Sequence, residues 1–103
     1  MDCDSINNLF GVNQKYYNCN NIREFNKTYI NNTGRTIFVS LTAKDINTGT
    51  IIGIVDGTTV VMLNNLDPYV ILNLCFFVPP NSEYRINHDS SDNKAFSFWV
   101  ELK

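Results

Sequence analysis

The sequence predicts an all-β domain, a small antiparallel β-sandwich, and three observations carry that prediction. Short runs of β-branched and aromatic residues alternate apolar with polar side chains at period two. Each run stops at turn chemistry, as at Asn31-Asn32-Thr33-Gly34, Asp56-Gly57 and Pro79-Pro80-Asn81-Ser82. Beyond the first ten residues, no stretch keeps a 3.6-residue period over three turns. Several short strands at close spacing suit a sandwich or a barrel.

The elements follow in order. Residues 1–14 read as an N-terminal arm, in which Ile6, Leu9 and Phe10 form one helical turn or a loose segment ended by Gly11. A single β-sandwich domain spans residues 15–103. Lys15 to Cys19 is the first strand, and Ile22 to Phe25 reads equally as a turn or a strand. Thr28 to Asn31 is a strand closed by a turn whose Gly34 is free to take a positive φ. Thr36 to Ala43 is the clearest strand, with Ile37, Val39, Leu41 and Ala43 on one face. A turn at Asp45–Gly49 leads to Thr50–Val55, the Asp56-Gly57 hairpin and the returning strand Thr58–Leu63. Asn64 to Pro68 breaks the chain. Tyr69 to Val78 is expected to be the longest strand. Both of its faces are apolar, which predicts a central strand or one beneath a partner subunit. Glu83 to Asn87 is a short strand, and His88 to Asn93 a polar loop. Ala95 to Leu102 closes the fold, with Phe96, Phe98, Val100 and Leu102 expected on the core face and Ser97, Trp99 and Glu101 opposite.

The composition narrows the function classes. With 103 residues, 44% hydrophobic and 17% charged, the chain holds one real core and few charges. Sixteen asparagines fill the polar role, many of them at turns. The net charge is −2, and Lys and Arg are scattered singly, which speaks against a nucleic-acid binder. The longest apolar run, Val70 to Val78, is too short to insert in a membrane. The three cysteines, Cys3, Cys19 and Cys75, match no zinc or redox spacing and suggest a chain made in a reducing cytosol. Cys75 reads as a buried small hydrophobe; Cys3 and Cys19 could pair.

Chemistry-bearing motifs are scarce. His88-Asp89 pairs an imidazole with a carboxylate, yet no nucleophile is placed by a motif, so His88 reads as an exposed loop residue. Asp89 to Asn93 is oxygen-rich but lacks calcium-loop spacing. No glycine-rich phosphate loop occurs. No cofactor, metal or catalytic residue is expected. Trp99, among polar neighbours, reads as a sheet-edge cover, a subunit contact or a platform for a sugar.

Five segments, in order, carry a resemblance. They are Gly11-Val12-Asn13-Gln14-Lys15-Tyr16, Thr28 through Ile37 with its Asn31-Asn32-Thr33-Gly34-Arg35 turn, Val55-Asp56-Gly57, Phe77-Val78-Pro79-Pro80-Asn81-Ser82-Glu83-Tyr84, and Trp99-Val100-Glu101-Leu102-Lys103. Together they resemble the C-terminal domain of bacteriophage tail-fibre proteins, which runs from a Gly-Val-Gly-Gln-Thr-Trp opening through a Thr-Gly-Lys/Arg-Pro-Ile turn and a Val-Pro-Pro-Gly-Ser-Tyr element to a closing Trp-x-Glu-Leu-Arg. Tyr16 stands for the opening Trp, Thr36 for Pro, Asn81 for Gly and Lys103 for Arg. Family members follow a long trimeric stalk; here about ten residues precede the first matching segment, as in a separately encoded small protein or a piece of a longer fibre.

The resemblance implies a virion protein of the phage tail, made in the host cytoplasm. It implies a non-enzymatic fibre tip or tail accessory subunit, a homotrimer, that attaches to a host-surface glycan or protein. Tyr84, Arg85, His88, Asp89 and Trp99 are the candidate binding residues, with contacts concentrated on the connections Asp45–Gly49, Asn64–Asp67 and His88–Asn93. The alternatives from other classes are a small phage-encoded inhibitor that blocks a host defence protein and a structural trimerisation cap.

Overall fold

A computed structural model describes residues 10–43, 49–65, 71–89 and 94–103. They form eight strands: β1 (Tyr16–Asn18), β2 (Tyr29–Ile30), β3 (Ile37–Ala43), β4 (Gly49–Val55), β5 (Thr58–Asn65), β6 (Leu72–Val78), β7 (Glu83–His88) and β8 (Phe98–Leu102). Two four-stranded antiparallel sheets pack face to face, in the orders β1-β8-β3-β6 and β2-β7-β4-β5. This is the small all-β sandwich the alternation predicts. Among the described strands, only the successive pair β4–β5 shares a sheet; every other successive pair lies in facing sheets. That hairpin turns at Asp56 and Gly57, with φ of 50° and 80°, the two positive values a type I′ turn requires.

The core lies between the sheets. Ile37, Val39, Leu41 and Ala43 point inward from β3, as the period-two pattern predicts, and meet Ile51, Val55, Tyr84 and Ile86 of the facing sheet within one buried cluster. Each fully buried aliphatic side chain contributes about 1.5–3 kcal/mol relative to exposure. Gly53 sits in this layer for a steric reason: a Cβ there would lie 2.9 Å from both Phe76 Cε1 and Val61 Cγ1. Opposite it the β4–β5 register slips, so that Gly53 pairs with Val61 and Ile54 with Thr59, leaving Val60 as the extra residue of a β-bulge.

The two open sides of the sandwich are treated differently. On one side the edge strands β5 and β6 lie near each other. On the other, residues 19–28 span the gap. The Cys19 amide donates to the Trp99 carbonyl in the first sheet (2.7 Å), the Asn26 amide donates to the Ile86 carbonyl in the second (2.8 Å), and Phe25 fills the space between.

One end of the sandwich is tied by Asn31, which is buried. Its side-chain amide donates to the carbonyls of Arg35 (2.7 Å), Val78 (3.0 Å) and Pro79 (3.1 Å), and its carbonyl oxygen accepts from the Thr33 amide and hydroxyl. The Thr-Gly turn and the double-proline turn are thereby joined. The connections β3–β4, β5–β6 and β7–β8 all leave from the opposite end.

Three sequence expectations are corrected. β6 is an edge strand, not a central one, and among the described residues β5 is longer, with eight residues against seven. Cys75 is exposed, because β6 turns Leu74, Phe76 and Val78 inward and its odd-numbered positions out. On β8 the expected faces are reversed: Trp99 and Glu101 are buried, whereas Phe98 is 54% exposed. Counting apolar residues favoured the Phe98 face. What decides is that Glu101 finds enough partners inside to enter with the indole, the larger apolar group.

Candidate functional site

Glu101 is the polar centre of the interior. Its side chain is fully buried, and four side chains donate to its carboxylate: Arg23 through Nε (3.0 Å) and a terminal guanidinium nitrogen (3.2 Å), Tyr84 Oη (2.9 Å), Trp99 Nε1 (3.0 Å) and Lys103 Nζ (3.3 Å). Strand geometry explains the Trp-x-Glu spacing. Residues two apart share a face, so the indole N–H reaches the carboxylate of its own strand. Burial pushes the Glu101 carboxyl up, but the Arg23 guanidinium and the hydrogen bonds from Trp99 and Tyr84 together hold it below the usual carboxylate range. Burial and the neighbouring carboxylate push the Tyr84 phenol well above its ordinary value. The cluster is therefore a charge held ionised inside the fold. Such pairs do little for net stability compared with an apolar replacement, but removing one partner is costly.

This arrangement corrects the expected roles of Trp99 and Tyr84 as surface contacts. They are 0% and 2% exposed, and their polar atoms are engaged with Glu101. Arg23, the organising cation, was not singled out in the sequence because it lies 78 positions from its carboxylate. His88 is not an exposed loop residue either: it ends β7, is 5% exposed and stacks on Phe25 with ring centroids 5.3 Å apart. Asp89 is exposed beside it, with a carboxylate oxygen 3.9 Å from His88 Nδ1. Arg85 is half-buried on the outer face of the second sheet, its Nε donating to Asn87 Oδ1 (2.7 Å). It borders a groove of about 250 Å³ with Ile54, Asp56, Gly57 and Glu83. There Asp56 accepts from the Glu83 amide (2.9 Å), and hydrogen bonds from Ser82 and from that amide hold its carboxyl below the usual range. The five candidates are thus split: Trp99 and Tyr84 lie in the core, His88 and Asp89 at one end, and Arg85 on an outer face. Of the loop expectations, residues 45–48, 66–67 and 90–93 lie outside the described residues, as do Cys3 and the arm up to residue 9.

Two surface features stand out instead. The first is the outer face of the first sheet. The strand registers align Tyr16, Leu102, Phe38 and Phe77 in one row across it, with Asn18, Val100, Ser40 and Cys75 in the next and Phe98, Thr42 and Asn73 beyond. None of these eleven positions is charged. Phe77 stays 56% exposed and Tyr16 68%, although Phe10 and Phe38 pack on Phe77 with centroids 5.2 and 5.1 Å away. The second is a pocket of about 190 Å³ in the side wall made by residues 21–29, with Lys94 also in its lining.

No protein-family model, curated protein or solved structure matches the chain.

Proposed function

We propose that this domain is a non-enzymatic attachment module of a bacteriophage tail, a fibre tip or tail accessory subunit that assembles as a homotrimer and binds a host-surface glycan or protein. The observation that carries the reading is that the five segments bearing the family resemblance are bonded to one another. The opening segment pairs with the closing one through reciprocal Lys15–Lys103 backbone bonds, and Gln14 Nε2 donates to the Thr36 carbonyl (2.8 Å). The Thr-Gly turn meets the double-proline element through Asn31, and the Asp56 hairpin meets the same element through Glu83. Residues that look unrelated along the chain are one structural unit, as expected if the resemblance reflects a shared way of holding the sandwich. Recognition then falls to surfaces outside that unit.

The charge-free outer face of the first sheet supports assembly with a second copy. Its row of Tyr16, Leu102, Phe38 and Phe77 is aromatic and apolar, exposed apolar patches mark protein interfaces, and two uncharged faces meet without repulsion or charge desolvation. The same face favours one other reading, a purely structural trimer cap.

Light scattering on the purified protein, combined with adsorption of the labelled protein to host cells, tests the proposal. A trimeric mass with saturable adsorption is expected. A trimer that ignores cells leaves the cap reading, and a monomer that ignores cells overturns both.

A further inference from the structure

We infer that the side-wall pocket binds an acidic sugar, taking the carboxylate or phosphate group that the sugar carries. The pocket is lined by Arg23 and Lys27, both beside the Tyr29 ring, and by Lys94, with Glu24 and Asn21 also in its lining. In a chain whose net charge is −2 and whose basic residues are scattered along the sequence, the described lining residues bring three cations together with one carboxylate. A cleft in which one sign of charge predominates focuses the field and draws counter-charged ligands.

Arg23 is held in place, and the two lysines are exposed beside it. Arg23 is locked by Glu101 and Tyr84, and its guanidinium carbon lies 4.4 Å from the centre of the Tyr29 ring. Lys27 Nζ is 5.9 Å from the same centre, and Lys94 Nζ donates to the Asn20 carbonyl (3.5 Å). The Tyr29 hydroxyl in turn accepts from the Glu24 amide (2.9 Å). The guanidinium, fixed before binding, loses little freedom when a ligand arrives. Glu101 does not cancel the cluster, because Lys103 also sits on that carboxylate.

Size and mixed polarity select the ligand class. At about 190 Å³ the cavity is below the ~300 Å³ where drug-sized pockets begin, so it admits one small group. A bare anion would gain nothing from Glu24 in the lining. A sugar presents hydroxyl donors that a carboxylate accepts, alongside the anionic group the lysines and arginine attract. The source of such a sugar on a cell-surface glycan rests on the attachment reading; the preference of the pocket for it does not.

The test is a titration of the ¹⁵N-labelled protein, followed by amide resonances, with three probes: glucuronic acid, glucose 6-phosphate and glucose. Either charged sugar, or both, should move the resonances of residues 21–29 and Lys94 saturably, identifying a carboxylate or a phosphate as the anion taken. Glucose should not. K27A/K94A, which alters two exposed side chains, should bind the charged sugars at least tenfold more weakly, whereas K15A should bind as the wild type does. Equal response to glucose, shifts confined to other residues, or unchanged binding by K27A/K94A overturns the inference. Failure here is separable from failure of the attachment reading. Sugar binding without adsorption to cells removes attachment and leaves the pocket; adsorption without any sugar response removes the pocket and leaves attachment.

Discussion

On the inner face of the first sheet, Trp99 is enclosed with its N–H on Glu101; on the outer face of the same sheet, Tyr16, Phe77 and Phe98 stand more than half exposed. Both faces are aromatic, and both contain polar residues. The inner face even carries the sheet's buried charge. The difference is that Glu101 finds four side-chain donors within reach, so its burial is compensated, while among the described residues no second sheet faces the outer side. Burial follows from what can be paired and covered, not from the hydrophobicity of a single strand.

The sharpest way to break this comparison is Glu101→Gln. Removing one partner of a buried ion pair costs about 3–5 kcal/mol, and a shift of that size should appear in urea denaturation. The acid dependence should change with it. The folded carboxyl titrates below its unfolded value, so its contribution is full above the unfolded pKa of about 4.3 and is lost as pH falls through the lower folded value. The wild type should lose stability across that acid window, and Glu101→Gln should show a flatter profile. A variant as stable as the wild type would show that the four donors are not what keeps the indole inside.

Gly53→Ala probes the facing inner layer. The new methyl meets Phe76 and Val61 at 2.9 Å, and overpacking of this kind costs about 1–3 kcal/mol. No loss would mean that the two sheets can separate to admit it. Phe77→Asp probes the outer face and should cost about 1 kcal/mol of chain stability, from its lost ring contacts with Phe10 and Phe38, while it leaves the core alone. Its expected effect is on mass: light scattering should report a monomer where the wild type is larger. An unchanged mass would remove the outer face from the assembly. The smallest effect is on Cys75. If the outer face is the assembly surface, its thiol should react with maleimide faster in Phe77→Asp than in the wild type, read by peptide mass, while Cys19, buried and with its thiol pushed up by burial, stays slow in both.

Much of the fold was legible in the sequence because its signals are local. The alternation of β3, the Asp56-Gly57 hairpin and the double-proline stop each act within a few residues, and each appears where expected. The faces of β8 were not legible, because they depend on Arg23, which is remote in sequence from Glu101. His88 was misread for a similar reason. Its burial depends on Phe25 and on Asn26, whose side-chain Nδ2 donates to the His88 carbonyl and whose side-chain Oδ1 accepts from the His88 backbone amide. The side-wall pocket was hidden by the same distance: no window of the sequence places Lys94 beside Lys27.

The position of β8 also governs how the protein can be made. It lies between β1 and β3, so a strand from the far end of the domain fills the middle of the first sheet and brings the indole and the carboxylate of the interior with it. The sandwich therefore cannot close during synthesis until residue 102 has left the ribosome. Until then the inner edges of β1 and β3 lack their partner, and unpaired edges are where chains associate wrongly. A nascent chain stalled a few residues short should remain protease-sensitive along its whole length, whereas loss of an outermost strand would leave the rest of the sheet paired.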